Sequence, residues 1–372
     1  MREKIKKYKV SLILILFLPI LVNVLTLFIM NDKQLKEIPM GVYIGDNTSL
    51  TRTIVNSFDN NETFGLKYYA SSPEEVEELM KEGKILYGLV IPKNFTKDLK
   101  DMKRPKLMTV IDGSQLSSAS FTKIRSSEIL LTIKTGAMIS SFEGKFSMPS
   151  SVALNTARPI ETNVRLLGNP TRNYVNFLLP GFMTALVQIG IAMTASVAFI
   201  AKKGKDMYKN LFENIAFYTI AGFVAMITII FIQVRFFKVP LVANVPSIML
   251  LTFVFSLSVT LVSQFISAVI NNRVLASQVA AIWFIPSSIL SGYTWPLSSM
   301  PQFYQKLAYY MPYTHYGETL RDLMLRGSSN TFNQDISVLA IISIVSFGLI
   351  VLFSSFGIEI KLKDKEEISY ES

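Results

Sequence analysis

The residue with the most versatile chemistry in this chain is its one histidine, His315, and nothing adjacent in sequence names a partner for it. Alone, it reads as a buried or interfacial polar group in preference to a proton sensor. With 1 His and 0 Cys, His clusters, thiolate metal sites and disulfides are all excluded. Asp59, Glu62, Asp98, Asp101 and Asp112 are scattered acids in a polar stretch, where a solvated face is the better reading. The chain carries no G-x-x-x-x-G-K-[ST] phosphate loop, no nucleophile elbow and no metal-ligand spacing. It therefore reads as something other than an enzyme, with no cofactor of its own.

Two segments have spacing that could do mechanical work. In 202–215, Met207, Leu211 and Ile215 recur at i, i+4 and i+8, with Tyr208 and Phe212 beside them and Lys205, Lys209 and Glu213 on another face. That pattern predicts an amphipathic helix able to lie on a membrane or enter a partner's groove, with a passive interfacial loop as the alternative. The second segment, about 292–327, is crowded with Tyr293, Trp295, Phe303, Tyr304, Tyr309 and Tyr310, and is broken by Pro296, Pro301 and Pro312. Such aromatic density suits a membrane–water boundary. Broken backbone at that depth is tolerated where it is buried in protein or lines a cavity. Two short re-entrant or interfacial helices forming an outer gate are expected, the alternative being a static aromatic belt.

The elements that must position these segments are membrane spans. Runs 174–200, 216–233, 246–270, 274–290 and 336–357 contain no Asp, Glu, Lys or Arg, and a sixth apolar run covers 10–30. Each is near or above the length that crosses roughly 30 Å of hydrocarbon. The run at 10–30 is longer than a signal-peptide core and lacks a small-residue cleavage site, so an uncleaved anchor is expected. The basic start, Arg2, Lys4, Lys6, Lys7 and Lys9, places the N-terminus in the cytoplasm. Alternation then puts 31–173 outside and both termini inside a cell membrane, with the net charge of +10 spent largely at membrane ends and not on nucleic acid. The spans offer only uncharged polar groups such as Asn23, Gln188 and Gln264, which argues against proton coupling. Transport work would need energy from another polypeptide.

The expected domains are thus 1–30 (N-terminus and first helix), 31–173 (an inserted α/β domain) and 174–372 (five helices, a coupling helix, the outer segment and a tail). Within the insert, strands are expected at 39–45, 66–70, 86–91 and 106–111. Helices are expected at 50–58, from the Ser72 cap to about residue 82, after Pro92 and at 117–141. A binding or gating role suits this insert.

The order and spacing of several pieces resemble permeases of the ABC-2 family, in the subgroup with a large exterior domain between helices one and two, a type V ABC exporter architecture. They are Gly88-Leu89-Val90-Ile91-Pro92-Lys93-Asn94-Phe95; Asn176-Phe177-Leu178-Leu179-Pro180-Gly181-Phe182; Ser291-Gly292 through Pro296 with Met300-Pro301 and Met311-Pro312; and Leu320-Arg321-Asp322 through Arg326-Gly327. The resemblance implies six helices per subunit, a homo- or heterodimer, and an ABC ATP-binding subunit that holds ATP and Mg under each half. It makes Lys205, Met207, Tyr208, Leu211, Phe212 and Ile215 the coupling contact, in a Lys-rich version of a loop usually rich in acids and Arg. Tyr293, Trp295, Pro296, Pro301, Phe303, Tyr304, Tyr309 and Tyr310 become the outer gate. The implied cargo is amphipathic or hydrophobic: a lipid, lipopeptide, antibiotic or peptide. The competing reading is a membrane-anchored surface receptor or secretion-accessory protein of the phage-infection-protein-like group, for which the insert is short.

Overall fold

The computed structural model describes residues 8–29, 35–101, 103–158, 166–170, 173–198 and 207–356. The chain divides into two compact units, Asp32–Arg165 and the remainder, Met1–Asn31 with Leu166–Ser372. The first unit therefore ends earlier than the 173 expected. The stretch after it joins the second unit, where Gly168 lies against the Arg326 side chain.

The second unit begins with α1 (Tyr8–Phe28), an apolar helix long enough to span a membrane and wound as a π-helix over Ile13–Phe17. The first unit follows, with β1 (Ile38–Ile44), α2 (Ser49–Asp59), β2 (Phe64–Ala70), α3 (Pro73–Lys81), β3 (Tyr87–Ile91), α4 (Phe95–Lys100), β4 (Met108–Ile111), α5 (Leu116–Phe146) and α6 (Ser150–Ala157). Its sheet has the order β2-β1-β3-β4, with β1 parallel to β2 and β3, and β4 antiparallel. All five residues of β3 are buried, because helices cover both of its faces. Met40, Val42, Tyr87 and Leu89 face a core with Ile54, Val55 and Phe58 of α2 and with Ile129 and Ile133 of α5. The intervening Val90 packs with Val76 and Leu79 of α3 on the other face. The local signals act where they were expected. The Ser72 hydroxyl accepts from the Glu75 N–H at 3.2 Å, Pro73 opens α3, and Gly83 stops it at φ +71°.

The second unit continues with α7 (Tyr174–Ala195), α8 (Met207–Phe237), α9 (Val245–Val269), α10 (Arg273–Leu290), α11 (Gln302–Tyr309), α12 (Gly317–Arg326) and α13 (Phe332–Phe356), with 3-10 turns at Leu297–Ser299 and Pro312–His315. Among the described residues six helices are long and apolar enough to cross a membrane: α1, α7, α8, α9, α10 and α13. Asparagines cap three of them: Asn173, Asn244 and Asn272 accept from the first N–H groups of α7, α9 and α10.

Of the amphipathic helix expected at 202–215, residues 202–206 lie outside the described residues. Its described part, from Met207, forms the first turns of α8, which runs unbroken to Phe237. No Gly or Pro stands between 207 and 221 to interrupt it.

The spans are held together by uncharged polar groups. The Gln233 amide donates to the Asn23 side-chain oxygen at 3.1 Å and the Leu179 carbonyl at 3.3 Å, joining α8 to α1 and α7. The Gln188 amide donates to the Phe284 carbonyl at 3.2 Å and the Ser287 hydroxyl at 2.9 Å, joining α7 to α10. Ser256 of α9 donates to the Thr219 carbonyl of α8 at 2.9 Å. Buried amides and hydroxyls of this kind stand in for the hydrophobic drive that is missing between helices in lipid.

Candidate functional site

The site is built where the broken segment after α10 meets α7. Gly292 turns the chain at φ +89°, with the Leu297 side chain where a Cβ would go. Tyr293 is thereby sent inward and is almost fully buried. Its hydroxyl accepts from the Gly181 N–H at 3.0 Å and donates to the Phe177 carbonyl at 2.7 Å. Those two backbone groups are i and i−4, the pair that bonds directly in an α-helix. The phenol oxygen is thus spliced into the ladder of α7, one residue after Pro180, which has no N–H to give. Gly181 is what permits the approach, since a Cβ there would stand 2.4 Å from the Tyr293 ring.

Other side chains of the segment fasten the same place. The Tyr313 hydroxyl donates to the Gly181 carbonyl at 2.5 Å. The Arg321 guanidinium lies 4.8 Å from the ring centres of both Phe177 and Tyr293 and donates to the Tyr293 carbonyl at 2.9 Å. A cation between two ring faces is worth about 0.5–2 kcal/mol depending on how dry it is. Tyr316 stacks flat on Phe255 of α9, centroids 4.0 Å apart. His315 is buried, as expected of it, and has partners the sequence did not name: Nδ1 stands 3.0 Å from an Asp335 carboxylate oxygen and Nε2 stands 2.9 Å from the Tyr309 carbonyl. Asp335 is close in space because α12 reverses the chain and brings the start of α13 back to the turn.

Of the residues named for the gate, Tyr293 is the one buried in this knot. Trp295, Phe303, Tyr304, Tyr309 and Tyr310 expose their rings, Phe303 to 71%. Pro296 and Pro301 precede the 3-10 turn and α11, where their fixed φ suits a helix start. Gly181, Tyr313, Tyr316 and Arg321 were not among the residues named for the gate, although Gly181 and Arg321 stand in the family-like pieces. A Pro-Gly pair inside an apolar span was the available signal for the first of them.

The start of α8 is arranged differently. Met207, Leu211 and Ile215 turn inward against Leu261 and Ala268 of α9 and Phe347 and Ile350 of α13. What faces outward is Tyr208 and Phe212, the latter 57% exposed with its ring 5.9 Å from Phe347. Lys205 lies outside the described residues. Among the described residues, the side chains exposed at the start of α8 are Tyr208, Lys209 and Phe212.

Among the described residues, six apolar spans joined by buried polar side chains, with a proline-broken segment pinned on the second span, make up a polytopic membrane protein. The profile of a family described as ABC-2 family transporter protein matches residues 9–352, and the chain belongs to that family. ABC transporter G family member 20 of Dictyostelium discoideum is 26% identical over 318 residues, covering 82% of this chain. That match covers 42% of the Dictyostelium protein, so this chain spans less than half of that relative's length. The Escherichia coli (strain K12) probable multidrug ABC transporter permease YbhR is 20% identical over 327 residues, 85% of each chain, and YbhS is 23% identical over 269 residues, 68% of each. The protein is a multi-pass ABC transporter permease.

Proposed function

We propose that this permease is the membrane half of an ATP-driven exporter for an amphipathic or hydrophobic molecule. It works as a dimer with a second copy or a paralogue, and separate cassette subunits bind ATP and Mg. Both termini lie in the cytoplasm of a plasma-membrane protein, and the α/β unit lies outside. The observation that carries the reading is the Tyr293 hydroxyl spliced into α7 at Gly181. A helix whose ladder is completed by another segment's side chain bends with that segment, so α7 and the broken segment move as one part. A cassette pressing on the exposed start of α8 would shift the bundle, and the α7 joint would carry that shift to the outer face. An apolar groove of about 220 Å³ between α1 and α7, lined by residues including Leu18, Val22, Leu186 and Met193, offers a lipid-like surface and supports a greasy cargo.

The test is reconstitution of the chain with a candidate cassette ATPase, with ATP turnover and efflux measured against a panel of amphiphiles. Failure to form a complex, with no change in turnover, would remove the reading. Two substitutions then separate fold from coupling. Leu211→Asp buries a charge in the bundle, where Leu211 is 1% exposed, and should cost several kcal/mol and the fold itself. Phe212→Asp should leave the fold intact and lower transport-linked ATP turnover.

A further inference from the structure

We infer that His315 is held as an imidazolium by Asp335, and that this buried ion pair is a proton-dependent joint fixing the broken segment to α13. Both residues are nearly closed to solvent, at 5% and 7% exposure. Each ring nitrogen meets an oxygen. The Tyr309 carbonyl can only accept, so Nε2 carries a hydrogen. Nδ1 faces one oxygen of Asp335, whose other oxygen accepts from the Thr319 hydroxyl. A neutral ring has one N–H only, and would set a lone pair of Nδ1 against a carboxylate. Asp335 sits in the first turn of α13. The contacts need one hydrogen between Nδ1 and Asp335, and the imidazole, a stronger base than a carboxylate, holds it, so the ring carries both hydrogens and the acid carries none.

The surroundings leave this pairing unopposed. The elements packed on the Pro312–His315 turn are α9 to α13. Helix α9 contains no charged residue, and the charge of α10 is Arg273, its first residue. On α12, Arg321 pairs with Glu318 at 3.6 Å, and Asp322 pairs with Arg326 at 3.4 Å. From α11 come Lys306 and Tyr309, whose ring stands edge-on to the imidazole at 5.2 Å. Tyr313 and Tyr316 flank the turn and point to Gly181 and Thr252.

His315 touches no cargo and is a positioning residue. It ties the end of α11, the start of α12 and α13 into one joint. Two residues earlier Tyr313 reaches Gly181 of α7. Loss of the proton would place an unpaired carboxylate beside a bare nitrogen and free the turn that carries Tyr313. The role in transport rests on the exporter reading; the charge state does not.

Because the chain has 1 His, imidazole ¹⁵N labelling of the full protein in nanodiscs reports this residue alone. Both ring nitrogens should be protonated in the wild type at neutral pH. A wild-type ring with one bare nitrogen there overturns the inference, whatever transport does, and this reading needs no variant to fold. With the cassette partner added, raising the pH on the face bearing the segment should lower efflux. His315→Gln should lower it roughly tenfold, a modest coupling between linked sites, and flatten the pH profile. Asp335→Glu should restore both. An unchanged profile in His315→Gln sinks the proton-dependent role. A doubly protonated ring in a protein that transports nothing sinks the exporter reading instead and leaves the joint standing.

Discussion

The two units of this chain both bury apolar side chains, but they differ in what else they bury and in what they expose. In the α/β unit, Met40, Val42, Phe58, Tyr87 and Leu89 fill the interior, and the charged side chains lie on the surface. In the membrane unit, Asn23, Gln188 and Gln233 are fully buried and hydrogen-bonded between helices, while large apolar groups such as Ile282, Ile344 and Phe231 are exposed. Water drives the first arrangement, since burying apolar area is favourable there. Lipid removes that drive, and side chains that hydrogen-bond between helices become the adhesive. A glutamine at zero exposure is thus an anomaly in one unit and a fastening in the other.

The largest expected effect tests this difference directly. Leu89→Gln in β3 should destabilise the α/β unit by roughly 3–5 kcal/mol, from lost packing and an unpaired amide, read as lost protease protection of that unit in the full chain. Gln188→Leu in α7 removes two hydrogen bonds and should change the thermal stability of the membrane unit by only about 0.6 kcal/mol. Equal costs at the two sites would break the contrast.

The next pair compares close approaches at glycine. A Cβ at Gly88 would meet one methyl of Val76 at 2.4 Å, and a Cβ at Gly181 would meet three atoms of the Tyr293 ring at 2.4–2.7 Å. The valine is free to change rotamer, whereas the tyrosine is fixed at its hydroxyl and under Arg321. Gly181→Ala should therefore cost about 1–3 kcal/mol and abolish efflux, and Gly88→Ala should cost less. Melting temperatures of the two variants rank them.

Tyr293→Phe is subtler. The Gly181 N–H and Phe177 carbonyl can then bond each other, so stability should fall by only about 1 kcal/mol. Efflux should drop far more than the melting point suggests, because α7 is uncoupled from the segment. A variant with full transport would show that the splice is structural alone.

The smallest effect lies on the surface of the α/β unit. Glu75 accepts from the Ser71 hydroxyl and from the Ser71 N–H at 2.6 Å, which holds its carboxyl below the usual range. A depressed acid stabilises above its unfolded value and gives up that contribution as pH falls through the lowered one. Glu75→Gln should thus flatten the acid limb of the unfolding profile slightly, by lowering stability a little at neutral pH, where the contribution is fully present, and leaving it unchanged at low pH.

Much of the fold was legible in the residues themselves. Charge-free runs marked the six apolar helices, alternating and continuous apolar runs marked the four strands, and Ser72, Pro73 and Gly83 marked the limits of α3. These features depend on neighbours a few residues away, so local pattern suffices. Spacing along 207–215 correctly indicated an apolar face on a helix, but not what covers it. That face is filled by Leu261, Ala268, Phe347 and Ile350, which lie far along the chain. In the same way the aromatic density of 291–316 was visible while the direction of each ring was not. Tyr293, Tyr313 and Tyr316 point inward because Gly181, Phe177 and Phe255 wait there, and Phe303 and Tyr310 point outward because nothing does. His315 shows the division most sharply. Its chemistry was evident from its identity alone, but its charge is set by Asp335 and the Tyr309 carbonyl. Only the reversal of the chain through α12 brings the carboxylate to the ring.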